Sequence, residues 1–270
     1  MSQTMTNTAG MPDVQAREDH RKLAIDRVGV TGIRFPATLA VRSGGTESTV
    51  ATVNMFVALP AERKGTHMSR FLELLNEYRD GLSPERVVDL CRHMRRELDA
   101  ERAHIELAFP YFISKQAPAT GRAGLMDYEA TIVCESTADL DDVVLGVTVP
   151  ATSLCPCSRE ISAYGAHNQR CLIRAEARFT ETVWIEELVE YAERSASCPV
   201  YSVLKRPDEK VVTEQAYDNP KFVEDIVRDL ATMLDADDRI TWFHARSENH
   251  ESIHSHNAWA EITRGSNGEG

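Results

Sequence analysis

Cys155 and Cys157 flank a single proline, and His167 follows within the reach of one loop. A soft thiolate and an imidazole presented together are half of a first-row metal site. Pro156 and Gly165 argue against a continuous helix here, so the stretch from Leu154 to Arg170 reads as a loop that folds back on itself. The spacing matches no closed zinc pattern, and incidental thiols beside a surface histidine remain the plainer alternative. Either cysteine would serve chemically as the ligand.

The elements that must hold this loop are strands. Residues 142–149 precede it, and residues 170–179 follow with strict alternation: Cys171, Ile173, Ala175, Ala177 and Phe179 on one face, Arg170, Leu172, Arg174, Glu176 and Arg178 on the other. The loop is therefore the long connection of a hairpin. Upstream, residues 1–26 are polar without an apolar period and read as a mobile arm. Val28, Val30, Ile33, Phe35, Ala37, Leu39 and Val41 mark a strand, Gly44-Gly45 a turn, and 50–57 a second strand. Phe71, Leu74, Leu75 and Tyr78, then Val87, Leu90, Cys91, Met94 and Leu98, recur at helical spacing. Ser83-Pro84 is a start signal for the second helix. Strands return around 105–109 and 128–135.

The second half repeats that order: two strands, a helix over 184–194, and an irregular proline-containing stretch. A helix opening at Asp218-Asn219-Pro220 then buries Phe222, Val223, Ile226, Val227, Leu230, Met233 and Leu234. A closing hairpin spans 239–246 and 257–263, and 265–270 is a polar tail. The class is α+β, with one ββααββ unit over 27–138 and a second over 139–264. Only the order of elements repeats, not the residues.

Composition sets outer limits. The 270 residues are 42% hydrophobic and 27% charged, ordinary for a globular protein that needs no disulfide staples. Six irregularly spaced cysteines and no amino-terminal apolar stretch predict a reducing, cytoplasmic setting. No run approaches the roughly 20 apolar residues of a membrane span. A formal net charge of −12 argues against a nucleic-acid partner, though not against one nucleotide bound by a local basic cluster.

Four stretches in order carry a family resemblance. They are Lys64-Gly-Thr-His-Met-Ser-Arg-Phe71; Thr152 to Ser162 with Gly165-Ala-His-Asn-Gln-Arg170; Asn219-Pro-Lys-Phe-Val-Glu224; and Glu251-Ser-Ile-His-Ser-His256. Together they resemble the type IB GTP cyclohydrolases. That resemblance implies the tunnelling fold, in which antiparallel sheets from several subunits close into a barrel with helices outside, here expected as a homotetramer. It implies a reaction of GTP and water to 7,8-dihydroneopterin 3'-triphosphate and formate, the entry to tetrahydrofolate synthesis.

The same resemblance assigns residues. Cys155, with Cys157 in reserve, His167, Glu209 and His254 would hold one divalent metal, zinc or else manganese or iron, with no organic cofactor. Such a set leaves a position for water, whose pKa the metal lowers. Read without the family, Asp208-Glu209 is a solvated loop, and His254 and His256 share a face if their strand continues. Glu224 lies off the apolar stripe of its helix, which reads as solvent, whereas the resemblance makes it the acid that accepts the N1–H and 2-amino hydrogens of guanine. Lys64, His67, Arg70, Lys115 and Arg122 are candidates for the triphosphate. Cys91, Cys134, Cys171 and Cys198 read as structural. Rivals are a related enzyme closing a cyclic phosphate, a metal-free nitrile reductase using NADPH, and a non-catalytic zinc- or redox-binding oligomer.

Overall fold

Period-two alternation over most of the chain becomes antiparallel strands, and the two stretches of period 3.6 in each half become helices on one side of them. The computed structural model describes residues 13–15 and 17–265. Strands β1 (Ile25–Ala40) and β2 (Thr46–Leu59) are followed by helices α1 (Met68–Glu77) and α2 (Pro84–Glu97), then β3 (Ala103–Gln116) and β4 (Ala123–Ser136). The second half runs β5 (Asp141–Leu154), the short α3 (Pro156–Ile161), β6 (Asn168–Phe179), α4 (Ile185–Ser195), the two-residue β7 (Cys198–Pro199), α5 (Arg206–Asp218), α6 (Val223–Asp235), β8 (Ile240–Asn249) and β9 (Ala258–Gly265).

These strands form one sheet in the order β1-β2-β3-β4-β5-β6-β8-β9, with β7 paired to β5. The halves are joined by β4 and β5, from Glu129↔Thr148 to Ser136↔Asp141. The sheet is open within one chain, and β1 and β9 are its edges. In β1 the apolar phase changes between Val30 and Ile33. The register against β2 shifts at that point, with Gly32 at φ +68°, so a bulge turns the second half of the strand onto the same face.

One sheet face is covered by helices. Phe71, Leu90 and Met94 from the first half, and Leu188, Ile226 and Leu230 from the second, pack on Met55, Ile105, Leu107, Ile132, Leu145 and Ile173 in a core that crosses both units. The uncovered face carries ion pairs, among them Arg178–Asp142 and His244 between Glu176 and Glu261. Among the described residues no helix is long and apolar enough to cross a membrane.

Three sequence expectations change. The connection after β5 is not wholly a loop, because Pro156 stands at the first position of α3, where its missing N–H is no loss. The stretch expected to be irregular around Arg206–Lys210 is the start of α5, again with a proline in the first turn. Asp218 and Asn219 close α5 rather than open the next helix, which begins at Val223 with Phe222 as its N-cap. In the expected mobile arm, residues 1–12 lie outside the described residues. Residues further on are docked: the Lys64 N–H donates to the Arg17 carbonyl (3.1 Å), Asp19 N–H to Glu62 (3.0 Å), and Asp13 meets His67 (3.2 Å). Of the polar tail, Gly265 ends β9 and the rest lies outside the described residues.

Leu230 is fully buried between α6 and the sheet. Leu230→Ala should therefore lower unfolding stability by about 2–5 kcal/mol, measured by urea denaturation. A loss below about 1 kcal/mol would mean that α6 is not anchored by this contact.

Candidate active site

The β5–β6 ladder ends at Leu154↔Asn168, and one further bond, Cys155 N–H to the His167 carbonyl (3.1 Å), brings the next residue of each strand together. Ser158 staples the pair. Its hydroxyl donates to the Cys155 carbonyl (3.2 Å) and accepts from the His167 N–H (3.2 Å), while its own N–H reaches the Cys155 sulfur (3.5 Å). Cys155 and His167 are half-buried and Cys157 is exposed. The His167 Nδ1 lies 2.8 Å from Gln169 Oε1 and 3.3 Å from Ser252 Oγ.

Three other elements converge on this end of the sheet. The β8–β9 connection reaches it through Ser252 and carries His254 and His256, exposed and stacked with ring centroids 5.2 Å apart. Both histidines sit in a bent loop, not on a continuing strand. Helix α5 reaches it through Val212 and Ala216, which pack with Leu154 and Ala166. Glu209 precedes these by three and seven residues, so it stands on the same helix face, exposed in the first turn. Helix α6 is tied on by Lys221 N–H to the Leu154 carbonyl (3.0 Å), and Glu224 is exposed in its first turn. Cys155, His167, Glu209, Glu224 and His254 are thus carried to one end of β5 and β6. Among the described residues, no three His, Cys, Asp or Glu side chains are close enough to enclose a cation.

The basic candidates divide. Lys64, His67 and Arg70 follow the end of β2 that is level with Asp141, the start of β5, as the pairings through β3 and β4 require. A strand of 14 residues spans roughly 45 Å, so within one chain these residues are at the far end from Cys155. Arg122 lies at the β3–β4 turn, on the near end and exposed. Lys115 is also near, but its ammonium is committed to Glu193 Oε1 (2.5 Å) and the Val200 carbonyl (3.0 Å) and lies over the Tyr201 ring. Burial lowers its pKa, with Glu193 opposing. In this chain it is a half-buried structural cation rather than a free ligand for phosphate.

Asp208 was expected in solvent with Glu209, yet it is completely buried. It accepts from the N–H groups of Ala119 (2.9 Å), Thr120 (2.8 Å) and Lys205 (2.9 Å) and from the Thr120 hydroxyl (2.8 Å). Burial opposes its charge, but these donors, led by Lys205 N–H, hold its pKa down at about 2. The bond fixes α5, and so Glu209, to the β3–β4 turn. An acid in the first turn after Arg206-Pro207 was a legible capping signal. Its partners, far away in sequence, were not. Cys91, Cys134, Cys171 and Cys198 are buried, and burial pushes the Cys198 thiol up to about 11.

The architecture is that of a tunnelling-fold protein with two units in tandem. The uricase of Arthrobacter globiformis aligns over 90% of this chain and 94% of its own with a TM-score of 0.54 at 10% identity. A urate oxidase of Bacillus sp. TB-90 aligns over 90% and 100% with the same score, also at 10% identity. These likenesses define the fold alone. Residues 11–260 match the family described as type I GTP cyclohydrolase FolE2. The GTP cyclohydrolase FolE2 of Magnetococcus marinus is 55% identical over 255 residues, 94% of this chain and 96% of that protein. Its counterpart in Syntrophobacter fumaroxidans is 53% identical over 259 residues, 94% and 99%. The chain belongs to the type I GTP cyclohydrolase FolE2 family.

Because the folded-state pKa of Asp208 lies below the unfolded value of about 3.9, its contribution to stability is present above roughly pH 4 and is lost as pH falls toward 2. The urea midpoint of Asp208→Asn should lie below that of the parent at pH 7, and the gap should narrow toward pH 2. A gap independent of pH would contradict this role.

Proposed function

We infer that the protein is a GTP cyclohydrolase I that requires a divalent metal and converts GTP and water to 7,8-dihydroneopterin 3'-triphosphate and formate, the first step of tetrahydrofolate synthesis. The observation that carries this is the joining of Cys155 and His167 by the last hydrogen bond of the β5–β6 ladder, within a chain of this family.

The donor set suits zinc, manganese or iron: a thiol, an imidazole, a carboxylate and a second imidazole, from Cys155, His167, Glu209 and His254. The His167 Nδ1 is engaged by Gln169, which leaves Nε2 for a metal. A bound cation supplies Lewis acidity that brings the pKa of a water toward 7. The chain's own residues bind and orient. Cys155 and His167 set one wall of the site, Glu209 the α5 side, and His254 the exposed rim offered by the β8–β9 loop. Glu224 accepts the N1–H and 2-amino hydrogens of guanine, so adenine, which lacks both donors, is rejected.

The triphosphate contacts of Lys64 and His67 need a second copy of the chain, because one chain holds them at the opposite end of its sheet. We propose a homotetramer in which one copy offers that end to the Cys155 end of another. Exposed Ile161, Tyr164 and Ile253 around the site are the kind of apolar rim that a neighbouring copy covers. The open edges β1 and β9 are the strands that barrel closure would pair.

Purified protein should release formate from GTP, lose that activity to a chelator and regain it on adding a divalent metal. Activity untouched by exhaustive chelation would remove the metal from the mechanism. Cys155→Ala and His167→Ala should each lose metal and turnover together, and Cys157→Ala should be much milder; an equal loss would transfer the ligand role to Cys157. Glu224→Gln puts an amide donor against a guanine donor. With charge-assisted bonds at roughly 1.5–3 kcal/mol, kcat/KM for GTP should fall about ten- to over a hundredfold while metal content stays constant. Unchanged kinetics would return Glu224 to the solvent.

A further inference from the structure

We propose that Gln169 is a positioning residue for the metal site: oriented by Glu251, it holds His167 in the tautomer that carries its proton on Nδ1 and its lone pair on Nε2. The proposal rests on His167 being a metal ligand and names the device that prepares it.

The geometry is a directed chain of hydrogen bonds. Gln169 stands on β6 opposite Ser153, with only 8% of its surface exposed. Its Oε1 is 2.8 Å from His167 Nδ1, and its Nε2 is 3.4 Å from Glu251 Oε1. The second oxygen of Glu251 is buried without a partner, so the amide is this carboxylate's only side-chain donor among the described residues. An ionised carboxylate only accepts, and therefore the NH2 end of Gln169 must turn toward Glu251. That turn aims the amide oxygen at His167. An amide oxygen also only accepts, so the ring must place its proton on Nδ1, and Nε2 is left with the lone pair that a cation needs.

A reversed amide would set two acceptors against each other at Glu251 and a donor against Nδ1. The Ser252 hydroxyl, 3.3 Å from Nδ1, can accept from the same proton and does not oppose the arrangement. The polarity of the chain thus begins at Glu251, which lies outside the proposed ligand set.

The test uses the metal-free full-length protein labelled with 15N in histidine, where the ring shifts of His167 report the tautomer directly. The parent should show a protonated Nδ1 and an unprotonated Nε2; the opposite tautomer overturns the proposal whatever the metal does. Zinc affinity, from chelator competition, should fall about ten- to a hundredfold in Gln169→Met and in Gln169→Glu, which sets two carboxylates face to face. Combining Gln169→Glu with Glu251→Gln restores a donor facing an acceptor at each step, and should recover zinc affinity to within about threefold of the parent. If the single variants bind zinc like the parent with the tautomer unchanged, Gln169 has only a packing role. Retention of zinc by Cys155→Ala and His167→Ala would instead reject the metal site itself, an outcome separable from the tautomer measurement.

Discussion

The last three residues of β5 are the point on which the site depends. The Thr152 hydroxyl donates to the Cys198 carbonyl (3.0 Å), and its own carbonyl accepts from Ser197 N–H (3.0 Å). The Ser153 hydroxyl donates to the Lys221 carbonyl (2.9 Å) and accepts from the Asn249 side chain (2.9 Å). Leu154 N–H finds the Ser197 hydroxyl (3.0 Å), and its carbonyl takes Lys221 N–H. Ser153, Ser197 and Asn249 are buried, where an unpaired polar atom costs about 1–3 kcal/mol. Each bond therefore constrains the segment at its other end: β7, the entry to α6, and the end of β8. Glu224 and His254 hang from two of those segments, while Cys155 follows Leu154 directly.

The first unit is a brace for this arrangement. Its β3–β4 hairpin holds α5 through Asp208 at the turn, α4 through Lys115 and Tyr128, both bonded to Glu193, and the segment between those helices through Lys115 and the Val200 carbonyl. Gly124 permits the approach: a Cβ there would lie 2.4 Å from Ser202 Oγ, so any side chain would push that segment away. The position of Glu209 is thus set from the other half of the chain. The nearby Lys115 is consumed in bracing, Arg122 is exposed at this end of the sheet, and Lys64 and His67 lie at the other end.

The strands were legible because one sheet face is buried, which imposes strict alternation on residues such as Cys171 to Phe179. The phase change in β1 was visible too, although its cause, a bulge at Gly32, was not. Proline misled twice. Pro156 and Pro207 interrupt a sequence pattern but start helices, since the first turn donates no N–H within the helix. What stayed hidden depends on partners far along the chain. Asp208 reads as solvated until Ala119 and Thr120 meet it, and Lys115 reads as a surface cation until Glu193 does. Glu224 shows the opposite case. Its exposed position agrees with the solvated face read from periodicity, and an exposed carboxylate beside a site is also what a ligand can use.

The central claim is that Cys155 and His167 together hold a catalytic cation. It is tested most directly by X-ray absorption at the zinc edge on zinc-loaded full-length protein. One sulfur scatterer at about 2.3 Å, with the remaining nitrogen and oxygen ligands at about 2.0–2.2 Å, is the expected shell. A shell without sulfur, or one without an imidazole signature, would contradict it.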